Sequence, residues 1–591
     1  MYMRDYMMYK INQMFDNYEY EEALDLLKGL EADGETDSWV LSNIGWVLGR
    51  LNRREEALEY LRTVEERGEL DEDGWLSCEI GWNLGAMNKT KEAVYYLQTA
   101  RKAGRDDDWI NSVLGENLGK LERYEEGIYF LKRAAEKGRN DYWLNCEIGW
   151  QLEKIGKLKE ALEYFNIAKV LQKSDKDIWL DSQIAWIYGK LDKFQEAYDI
   201  LCDVRKAGRN DEWLKSQLAL NLGRMEKYEE AVKILKEIRD EGRNDSWTNN
   251  EIAWNLGKMG KYEEAVKYLK ISEKLTPDDP WISVEIGWDY IQLEKYEEAL
   301  KYFFNSVKFE EATAWINSQI GYCYAHKKER DCETALKYLK KAKKQGRNDS
   351  WINGEIGWNL GRLKKYKQAV KALKEAEKMS GEKVAPWLLG EIGWNLGRLD
   401  KPKEALYYLL RSENENGLDN WLASEIGWNY DKLDEYEKAL EYLMKAKKLG
   451  RDDDWLNSEI GWAFGGLKKH DEALKYLYLA ESQGRNDSWL YDEIGWNLKE
   501  KKKYKEALEN FMKSEKLGKD SAFHFNCVAE CYEQLKDFEN AYFYFKKTKE
   551  KDTDNIELDI DIRKAAEKIN KSEDAEKFLK SFNLDKNNSE K

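Results

Sequence analysis

The sequence predicts an all-α solenoid in which a unit of two antiparallel helices is repeated along the chain. Trp recurs at a nearly fixed interval through most of the 591 residues, apolar residues inside each interval follow helical spacing, and the chain holds 25 Trp but only 4 Pro. A period of this size is typical of solenoids, in which each unit buries its apolar face against its neighbours. The period takes precedence over the linker-separated domains that this chain length otherwise suggests.

The composition is typical of a folded protein with an extensive core, with 42% hydrophobic and 36% charged residues. A formal net charge of −17 argues against bulk nucleic-acid binding, which needs a clustered positive field. No apolar run reaches the roughly 18 residues of a membrane span, the first residues lack the apolar stretch of a signal peptide, and the seven dispersed Cys fit a reducing compartment. We expect a cytoplasmic protein that binds neither bulk nucleic acid nor membrane.

Two rows of Trp define the repeat. The steps between the Trp residues of the first row are 34 or 36 residues, and a second Trp follows seven residues later in eleven of the fourteen units. The first row comprises Trp39, Trp75, Trp109, Trp143, Trp179, Trp213, Trp247, Trp281, Trp315, Trp351, Trp387, Trp421, Trp455 and Trp489. The second row comprises Trp46, Trp82, Trp150, Trp186, Trp254, Trp288, Trp358, Trp394, Trp428, Trp462 and Trp496. Together the two rows account for every Trp of the chain.

Residues 348–381 show how one unit is built. Asp349 is a good N-cap because its carboxylate accepts a hydrogen bond from a free backbone N–H, and Ile352, Ile356 and Leu360 follow with helical spacing. After a polar turn at 364–365, a second amphipathic run spans 366–379. In most units a Gly suited to a left-handed C-cap follows this second run. Each unit is therefore predicted to be two antiparallel helices.

Small and aromatic residues recur at fixed places within the unit. A Gly or Ala lies six residues after the first Trp, as at Gly357; a second small residue lies twelve residues later, as at Ala369, and an aromatic residue precedes it by three, as at Tyr366. Together with the unit length, this pattern resembles the tetratricopeptide repeat. The resemblance covers nearly the whole chain and implies a right-handed superhelix whose first helices line a concave groove where partners usually bind.

The resemblance also gives the domain organisation. Counting the small residue from Ala23 to Ala575 gives 17 units. Because terminal repeats of solenoids are atypical, we expect a degenerate N-terminal capping repeat at 1–38, an array of about 15 repeats at 39–555, C-terminal capping helices at 556–582 and a disordered tail at 583–591. The pattern departs from the family where Gly-Arg-(Asn/Asp)-Asp replaces its customary Pro, and where two Trp elsewhere replace its conserved Trp.

A helical wheel places both Trp rows on one side of the first helix. With Trp351 at 0°, Ile356 lies at about 140° on the core stripe, whereas Trp358 lies at about −20°, Glu355 at about 40° and Arg362 at about 20°. An acid or amide and a cation thus recur beside the Trp residues. We expect stacked units to form parallel rows of Trp, carboxylate and cation along the inner wall.

These rows are the candidate partner-binding residues. The candidate Trp residues are Trp82, Trp150, Trp186, Trp254, Trp288, Trp358, Trp394, Trp428, Trp462 and Trp496. The candidate charged residues are Glu251, Glu285, Glu355, Glu391, Glu425, Glu459, Arg224, Lys258, Arg362, Arg398 and Lys432. Glu116, Leu220 and Tyr322 break the second Trp row and are candidate specificity positions, with drift in a tolerant repeat as the alternative. The Arg of the turn between repeats, as at Arg347, either pairs with a carboxylate of an adjacent helix or forms a basic row along one rim.

The Trp rows also have a purely structural interpretation. The Gly ten residues after the first Trp, as at Gly361 and Gly397, would be a notch that receives a neighbouring indole. Gly inside a helix costs roughly 1 kcal/mol relative to Ala, so its recurrence needs such a reason. Units with Glu153, Ile291 or Asp431 at the notch nevertheless keep their Trp. We therefore expect a mixed role, a ladder between repeats that is also a binding wall.

Residues for catalysis or for a cofactor do not form a recognisable motif. The chain has three His, no nucleophile triad, no phosphate-binding Gly-rich loop and no HExxH pattern. His524, Cys527 and Cys531 share one helix face, but no fourth metal ligand is evident. We expect the repeated carboxylates to be solvated or paired with Arg, and the protein to lack enzymatic activity, cofactor and metal.

These patterns favour a protein-binding function. The expected protein is a scaffold, adaptor or stoichiometric inhibitor that captures a partner protein or peptide in a Trp-lined groove, with aromatic anchors as hot spots. Self-association stays open. The alternative is a sensor of a small ligand, such as a nucleotide, signal peptide or glycan, that stacks on the Trp rows.

Overall fold

The computed structural model describes residues 2–68, 72–172, 177–308, 312–381 and 383–589, with side chains described within 4–582. These residues form 34 α-helices, and no strand occurs among them. The predicted all-α class of paired helices is confirmed. The chain divides into two compact units, Met1–Ile282 and Ser283–Lys591. Each unit is a stack of helix pairs, in which odd-numbered helices are the first and even-numbered helices the second of a pair.

The helices of the first unit follow one another in pairs. They are α1 (Tyr2–Asp16), α2 (Tyr20–Ala32), α3 (Ser38–Arg50), α4 (Arg54–Glu66), α5 (Trp75–Ala86), α6 (Thr90–Lys102), α7 (Asp108–Lys120), α8 (Tyr124–Glu136), α9 (Tyr142–Lys154), α10 (Leu158–Leu171), α11 (Ile178–Lys190), α12 (Phe194–Lys206), α13 (Glu212–Arg224), α14 (Tyr228–Asp240), α15 (Ser246–Lys258) and α16 (Tyr262–Leu275). Helix α17 (Pro280–Gln292) begins here and lies mostly in the second unit.

The second unit continues the same alternation. Its further helices are α18 (Tyr296–Ser306), α19 (Ala314–His326), α20 (Cys332–Lys344), α21 (Ser350–Arg362), α22 (Tyr366–Met379), α23 (Pro386–Arg398), α24 (Pro402–Asn416), α25 (Asn420–Asp431), α26 (Tyr436–Lys448), α27 (Asp454–Gly466), α28 (His470–Ser482), α29 (Ser488–Glu500), α30 (Tyr504–Lys516), α31 (Ala522–Gln534), α32 (Phe538–Lys551), α33 (Glu557–Lys568) and α34 (Ser572–Ser589).

Most first helices begin at an Asp N-cap, as the sequence predicts. In α21, Asp349 Oδ1 accepts a hydrogen bond from the backbone N–H of Ile352 at 2.8 Å. Thr313 takes this role for α19 and Ser521 for α31. Many second helices are followed by a left-handed Gly, such as Gly346 with φ of 102°. A side-chain cap thus marks the start of most first helices, and a Gly marks the end of many second helices.

Small residues bring the two helices of a pair into close contact. A Cβ on Gly357 of α21 would lie 2.5 Å from Leu373 Cγ and 3.2 Å from the carbonyl oxygen of Ala369, both in α22. Ala369 and Leu373 are fully buried. The recurring Gly and Ala are therefore required by the close approach of the two helices.

The apolar core runs from each repeat into the next. In the second unit, Leu373 and Ala376 of α22 belong to one buried cluster with Leu388 and Ile392 of α23 and Leu422 of α25. A single helix pair leaves half of this surface uncovered, so stability depends on stacking neighbours.

The C-terminal helices cover the last repeat of the second unit. Ala565 of α33 and Ala575 and Leu579 of α34 are buried. Helix α34 continues to Ser589, across most of the segment for which the sequence predicts a disordered tail, and residues 590–591 lie outside the described residues. Within the described chain, no helix has both the length and the apolar character of a membrane span.

Candidate functional site

The two Trp rows differ in their access to solvent. First-row Trp179, Trp315 and Trp387 are 44%, 37% and 42% exposed. In the second row, Trp288 is 39% exposed and the other ten residues are part-buried. The first row therefore offers more aromatic surface to a partner than the second row, in which all of the candidate Trp residues lie.

Second-row Trp residues pack into the preceding repeat. A Cβ on Gly361 would lie 3.0 Å from Cζ3 of Trp394, and a Cβ on Gly397 would lie 2.9 Å from Cζ3 of Trp428. The ring of Tyr366 meets the Trp394 indole edge to face, with centroids 5.9 Å apart. The notch interpretation is right for these repeats, and it explains why Gly is kept inside the helix.

Arginines alternate with the second-row indoles. The guanidinium carbon of Arg362 lies 4.8 Å from the Trp358 ring and 4.4 Å from the Trp394 ring. Arg398 continues the series, 5.5 Å from Trp394 and 4.0 Å from Trp428. These distances are those of cation–π contacts. We call this series the arginine ladder; its members are the cations that lie eleven residues after the first Trp of each repeat.

Arg362 and Arg398 also pair with the acid of the next repeat. Arg362 donates to Glu391 at 2.7 Å and Arg398 donates to Glu425 at 3.2 Å. Glu391 and Glu425 are only 7% and 3% exposed. The sequence leaves open whether these carboxylates are solvated or paired with Arg. In these repeats they are buried and paired with Arg. The next first helix covers this sector, which a wheel of one isolated helix leaves open.

A histidine takes the place of the ladder arginine in one repeat. The imidazole of His326 stacks on Trp358 with centroids 4.9 Å apart, and its Nε2 lies 3.5 Å from Glu355. The ring of Tyr322, one of the candidate specificity positions, lies 4.2 Å from the His326 ring and is tilted by 36° to it. Tyr322 therefore belongs to the ladder contacts of its own repeat. Glu116, another such position, pairs with Lys120 at 2.8 Å.

The first unit shows the same arrangement with more variation. Arg50 stacks on Trp82 at 4.2 Å and pairs with Glu79 at 3.1 Å. Arg224 and Lys258 lie 4.2 Å and 5.4 Å from the ring of Trp254. Lysines extend the contacts to Trp150 and Trp186, at 5.4 Å and 5.3 Å. Burial raises the pKa of Glu251 against the opposing charge of Arg224. Nothing in the structure explains Leu220, the third candidate specificity position.

A row of buried Asn is not among the residues that the sequence predicts to be important. It lies eight residues after the first Trp, and in each member the side-chain Nδ2 donates at 2.8 Å to the carbonyl oxygen four residues earlier, as Asn395 does to Glu391. Its members are Asn83, Asn117, Asn221, Asn255, Asn359, Asn395, Asn429 and Asn497. Asn Oδ1 shares the Gly notch with the indole, 2.7 Å from a Cβ on Gly361. The signal is the recurrence of a poor helix former in mid-helix.

The Arg of the turn between repeats is held in place. Arg347 Nε donates to Asp349 Oδ2 at 3.1 Å, its guanidinium lies 4.6 Å from the Trp351 ring, and it donates to Ser318 of the preceding repeat. The same contact with the Asp N-cap recurs at Arg105, Arg139, Arg209, Arg243, Arg451 and Arg485. Of the two expectations for this Arg, pairing with a carboxylate of an adjacent helix is therefore the one observed.

The cluster of His524, Cys527 and Cys531 is part of the core. The His524 Nδ1 lies against the carboxylate of buried Asp492, and all three residues are at most 2% exposed. Burial raises the pKa of both thiols. In the described parts of the chain, no group of three His, Cys, Asp or Glu side chains is placed to hold a metal ion.

The buried carboxylates make stability depend on pH. Burial raises the pKa of Glu391 to about 7 and that of Glu493 to about 8. In the unfolded chain the same groups titrate near pH 4.5, so the folded state binds more protons between the two values. The stabilisation is fully present below about pH 4.5 and is lost as pH rises through the folded pKa. We expect the melting temperature to fall from about pH 5 to about pH 9.

Circular dichroism melts at pH 5, 7 and 9 measure this dependence. The control is Glu493→Gln, which removes one titrating group at its own position and should flatten part of the slope. Exposed carboxylates with lowered pKa values, such as Asp452, titrate below this window and do not disturb it. A melting temperature that rises toward pH 9 would contradict the prediction.

Comparison with known proteins finds a family model that matches one segment of the chain. Residues 424–453 match the tetratricopeptide repeat family model, and the paired helices recur through the described chain. No curated protein matches the chain in sequence. The described chain is thus a series of helix pairs, and one of these pairs, α25 with α26, matches the tetratricopeptide repeat model.

Several solved structures are similar to this chain. One is the Cut9–Hcn1 hetero-tetramer of the APC/C, at 12% identity over 90% of this chain and 99% of that chain, with a TM-score of 0.35. A second is the P58(IPK) TPR domain, at 18% identity over 70% of this chain and 100% of that chain, with a TM-score of 0.29. A third is PilF of Pseudomonas aeruginosa, at 18% identity over 34% of this chain and 90% of that chain, with a TM-score of 0.30.

Proposed function

We propose that this protein is a non-enzymatic scaffold, adaptor or stoichiometric inhibitor that captures a segment of a partner protein on its Trp face. Tetratricopeptide-repeat folds are generally non-catalytic scaffolds for protein–protein interaction. The observation that carries the proposal is the exposed part of the first Trp row, since Trp315 and Trp387 remain 37% and 42% exposed. Large aromatic side chains of this kind are favoured anchors at interfaces.

The proposal assigns different roles to the two Trp rows. Second-row residues such as Trp394 are held by the notch Gly, a Tyr and two arginines, so replacing them damages the contact between repeats. First-row residues present more indole surface to solvent. As part of the same proposal, the protein works in the cytosol, because its seven Cys are free thiols and suit a reducing compartment.

The double variant Trp315→Ala/Trp387→Ala tests the proposal. Affinity purification from the native cell, with mass spectrometry of the recovered proteins, should find partners of the wild-type protein that the double variant loses. The matched control is Tyr407→Ala, which removes an aromatic residue that is 59% exposed on a second helix and should retain the same partners. The helical circular dichroism of all three proteins should agree. Equal recovery of partners by the double variant contradicts the proposal.

A second candidate function rests on a pocket in the first unit. A cavity of about 390 Å³ is lined by Trp143, Trp150 and Trp179, with Glu116 and Lys120 at its polar side. This cavity is large enough for a small ligand that stacks on indoles. Intrinsic Trp fluorescence titrated with nucleotides, peptides and sugars tests the sensor hypothesis, since a stacked ligand should quench it strongly.

A further inference from the structure

In the second unit, the arginine ladder is interrupted in two successive repeats. In the two repeats before the interruption, Arg362 and Arg398 each lie between two second-row indoles and pair with the buried Glu of the next repeat. The next two positions of the series are Lys432 and Gly466. Gly466 has no side chain, and the Lys432 ammonium lies 2.7 Å from Asp400 Oδ1, away from the acid of the next repeat.

Two buried carboxylates are left without their cation by this break. Glu459 and Glu493 are 9% and 8% exposed. Within the described chain, neither side-chain carboxylate takes part in a hydrogen bond or in an ion pair. Their counterparts Glu391 and Glu425, at the same position of the two preceding repeats, are both paired. The difference lies in the missing arginine, since the indoles on either side are kept.

A third buried carboxylate, that of Asp431, lies near Glu459. Asp431 replaces the Gly of the notch, is 4% exposed and has no hydrogen-bond donor for either carboxylate oxygen within the described residues. Burial raises its pKa to about 9, and the neighbouring Glu459 contributes to that rise. Burying carboxylates without a cation is unfavourable, so an incoming cation removes a penalty in addition to its own contacts.

Open space is present where the two arginines are missing. One cavity of about 390 Å³ is lined by Trp428, Asp431, Glu459 and Trp462. The next, of about 500 Å³, is lined by Trp462, Gly466, Glu493 and Trp496. Both combine indole walls with buried carboxylates.

The cations at the edges of these cavities already have partners. Lys432 pairs with Asp400, Arg485 pairs with Asp487 at 2.9 Å, and Lys519 pairs with Asp492 at 3.0 Å. Burial raises the pKa of Glu459 to about 7, the charge of Arg485 offsets only part of that rise, and the two side chains form no ion pair among the described contacts. The carboxylates inside the two cavities are therefore available to a cation from outside.

We propose that these two cavities bind two arginine side chains of the partner segment, which complete the arginine ladder in trans. The proposal rests on the proposed function and names the chemistry of its partner. Arginine fits better than lysine because its planar guanidinium stacks on indoles and donates to a carboxylate at the same time, as Arg362 does. Lys432, which occupies a ladder position, contacts the Trp428 ring at 4.7 Å. It donates to the exposed Asp400, however, and makes no ion pair with Glu459 among the described contacts.

The spacing of the cavities sets the spacing of the arginines. Neighbouring packed helices lie roughly 8–10 Å apart. A partner segment in the polyproline II conformation rises about 3.1 Å per residue and, with three residues per turn, points every third side chain to the same side. Two arginines separated by two residues therefore match two neighbouring repeats, and the partner carries an Arg-x-x-Arg sequence.

Fluorescence anisotropy of a labelled Arg-x-x-Arg peptide, titrated with the full chain at 150 mM KCl, tests the inference. The double variant Glu459→Gln/Glu493→Gln should weaken binding at least tenfold. The matched control is Glu391→Gln, at the same position of a repeat that has its own arginine, and it should change affinity less than twofold. A peptide with citrulline in place of arginine keeps the shape without the charge and should not bind.

Three outcomes overturn the inference: no binding by the wild-type chain, equal binding by the double variant, or equal binding of the citrulline peptide. Equal binding of a Lys-x-x-Lys peptide overturns the choice of arginine. If the peptide fails while Trp315→Ala/Trp387→Ala still abolishes partner recovery, only this inference is wrong. If the peptide binds and that variant keeps its partners, the proposed function is wrong.

Discussion

Replacing Arg398 with Met is expected to lower the free energy of unfolding by about 3 kcal/mol, because it leaves a buried carboxylate without its cation. Arg398 Nη2 lies 3.2 Å from Glu425, which is 3% exposed, and its guanidinium lies 4.0 Å from the Trp428 ring. The Met side chain keeps much of the apolar packing but none of the charge. The loss should be larger at pH 8 than at pH 5, since Glu425 is protonated more readily at low pH.

Urea unfolding followed by circular dichroism measures the loss. Because repeats unfold in contiguous groups, hydrogen exchange in α23 and α25 locates it. The double variant Arg398→Met/Glu425→Gln should recover most of the stability. The control for an ordinary ion pair is Lys445→Met, which breaks an exposed contact of 2.7 Å with Glu441 and should cost less than about 0.5 kcal/mol. Equal effects of Arg398→Met and Lys445→Met would refute the role of the ladder.

The repeat itself was accessible from the sequence because each signal is local. The Trp period, the Asp N-cap of a helix such as α21 and the Gly that ends many second helices all act within one unit. Capping and helical periodicity depend on residues a few positions apart, so a single sequence is sufficient to find them. The pairing of helices and the core stripe follow from the same local rules.

The environment of the carboxylates could not be predicted in the same way. A wheel of one helix places Glu391 on the side opposite the core, whereas the structure buries it, 7% exposed, against Arg362 of the preceding repeat. Burial here is decided by how closely successive first helices approach, and no single helix contains that information. Asn395 was missed for the same reason, since a polar residue away from the core stripe is ordinarily exposed.

Some of the candidate partner contacts are therefore structural contacts between repeats. Trp394 and Arg362, both candidate partner contacts, hold neighbouring repeats together. In two successive repeats of the second unit, a ladder arginine of the protein itself pairs with the buried acid of the next repeat. The repeats that differ are those in which this ion pair is missing. Lys432 and Gly466 occupy the ladder position in these repeats, and their importance is evident only by comparison with Arg362 and Arg398 in the preceding repeats. Recognition is thereby expected where the internal pattern is interrupted.

Replacing Gly393 with Val should destabilise the second unit by about 3–5 kcal/mol, the second large effect that we expect. A Cβ at this position would lie 2.6 Å from Leu409 Cγ and 3.0 Å from the carbonyl oxygen of Ala405. Leu409 is fully buried, so it has no free space into which to move. The two helices of the pair must separate instead, which opens the core on both sides.

Gly393→Ala is the sharper version of this test because propensity and packing predict opposite signs. Ala is favoured over Gly in a helix by about 1 kcal/mol, yet its Cβ would be too close to Leu409, so we expect a net loss of about 1–2 kcal/mol. Gly29→Ala in α2 is the control, since no atom lies within 4 Å of a Cβ there and Ala should stabilise the helix. Urea unfolding of both variants gives the two signs. Stabilisation by Gly393→Ala would show that the small residue is not required for helix approach.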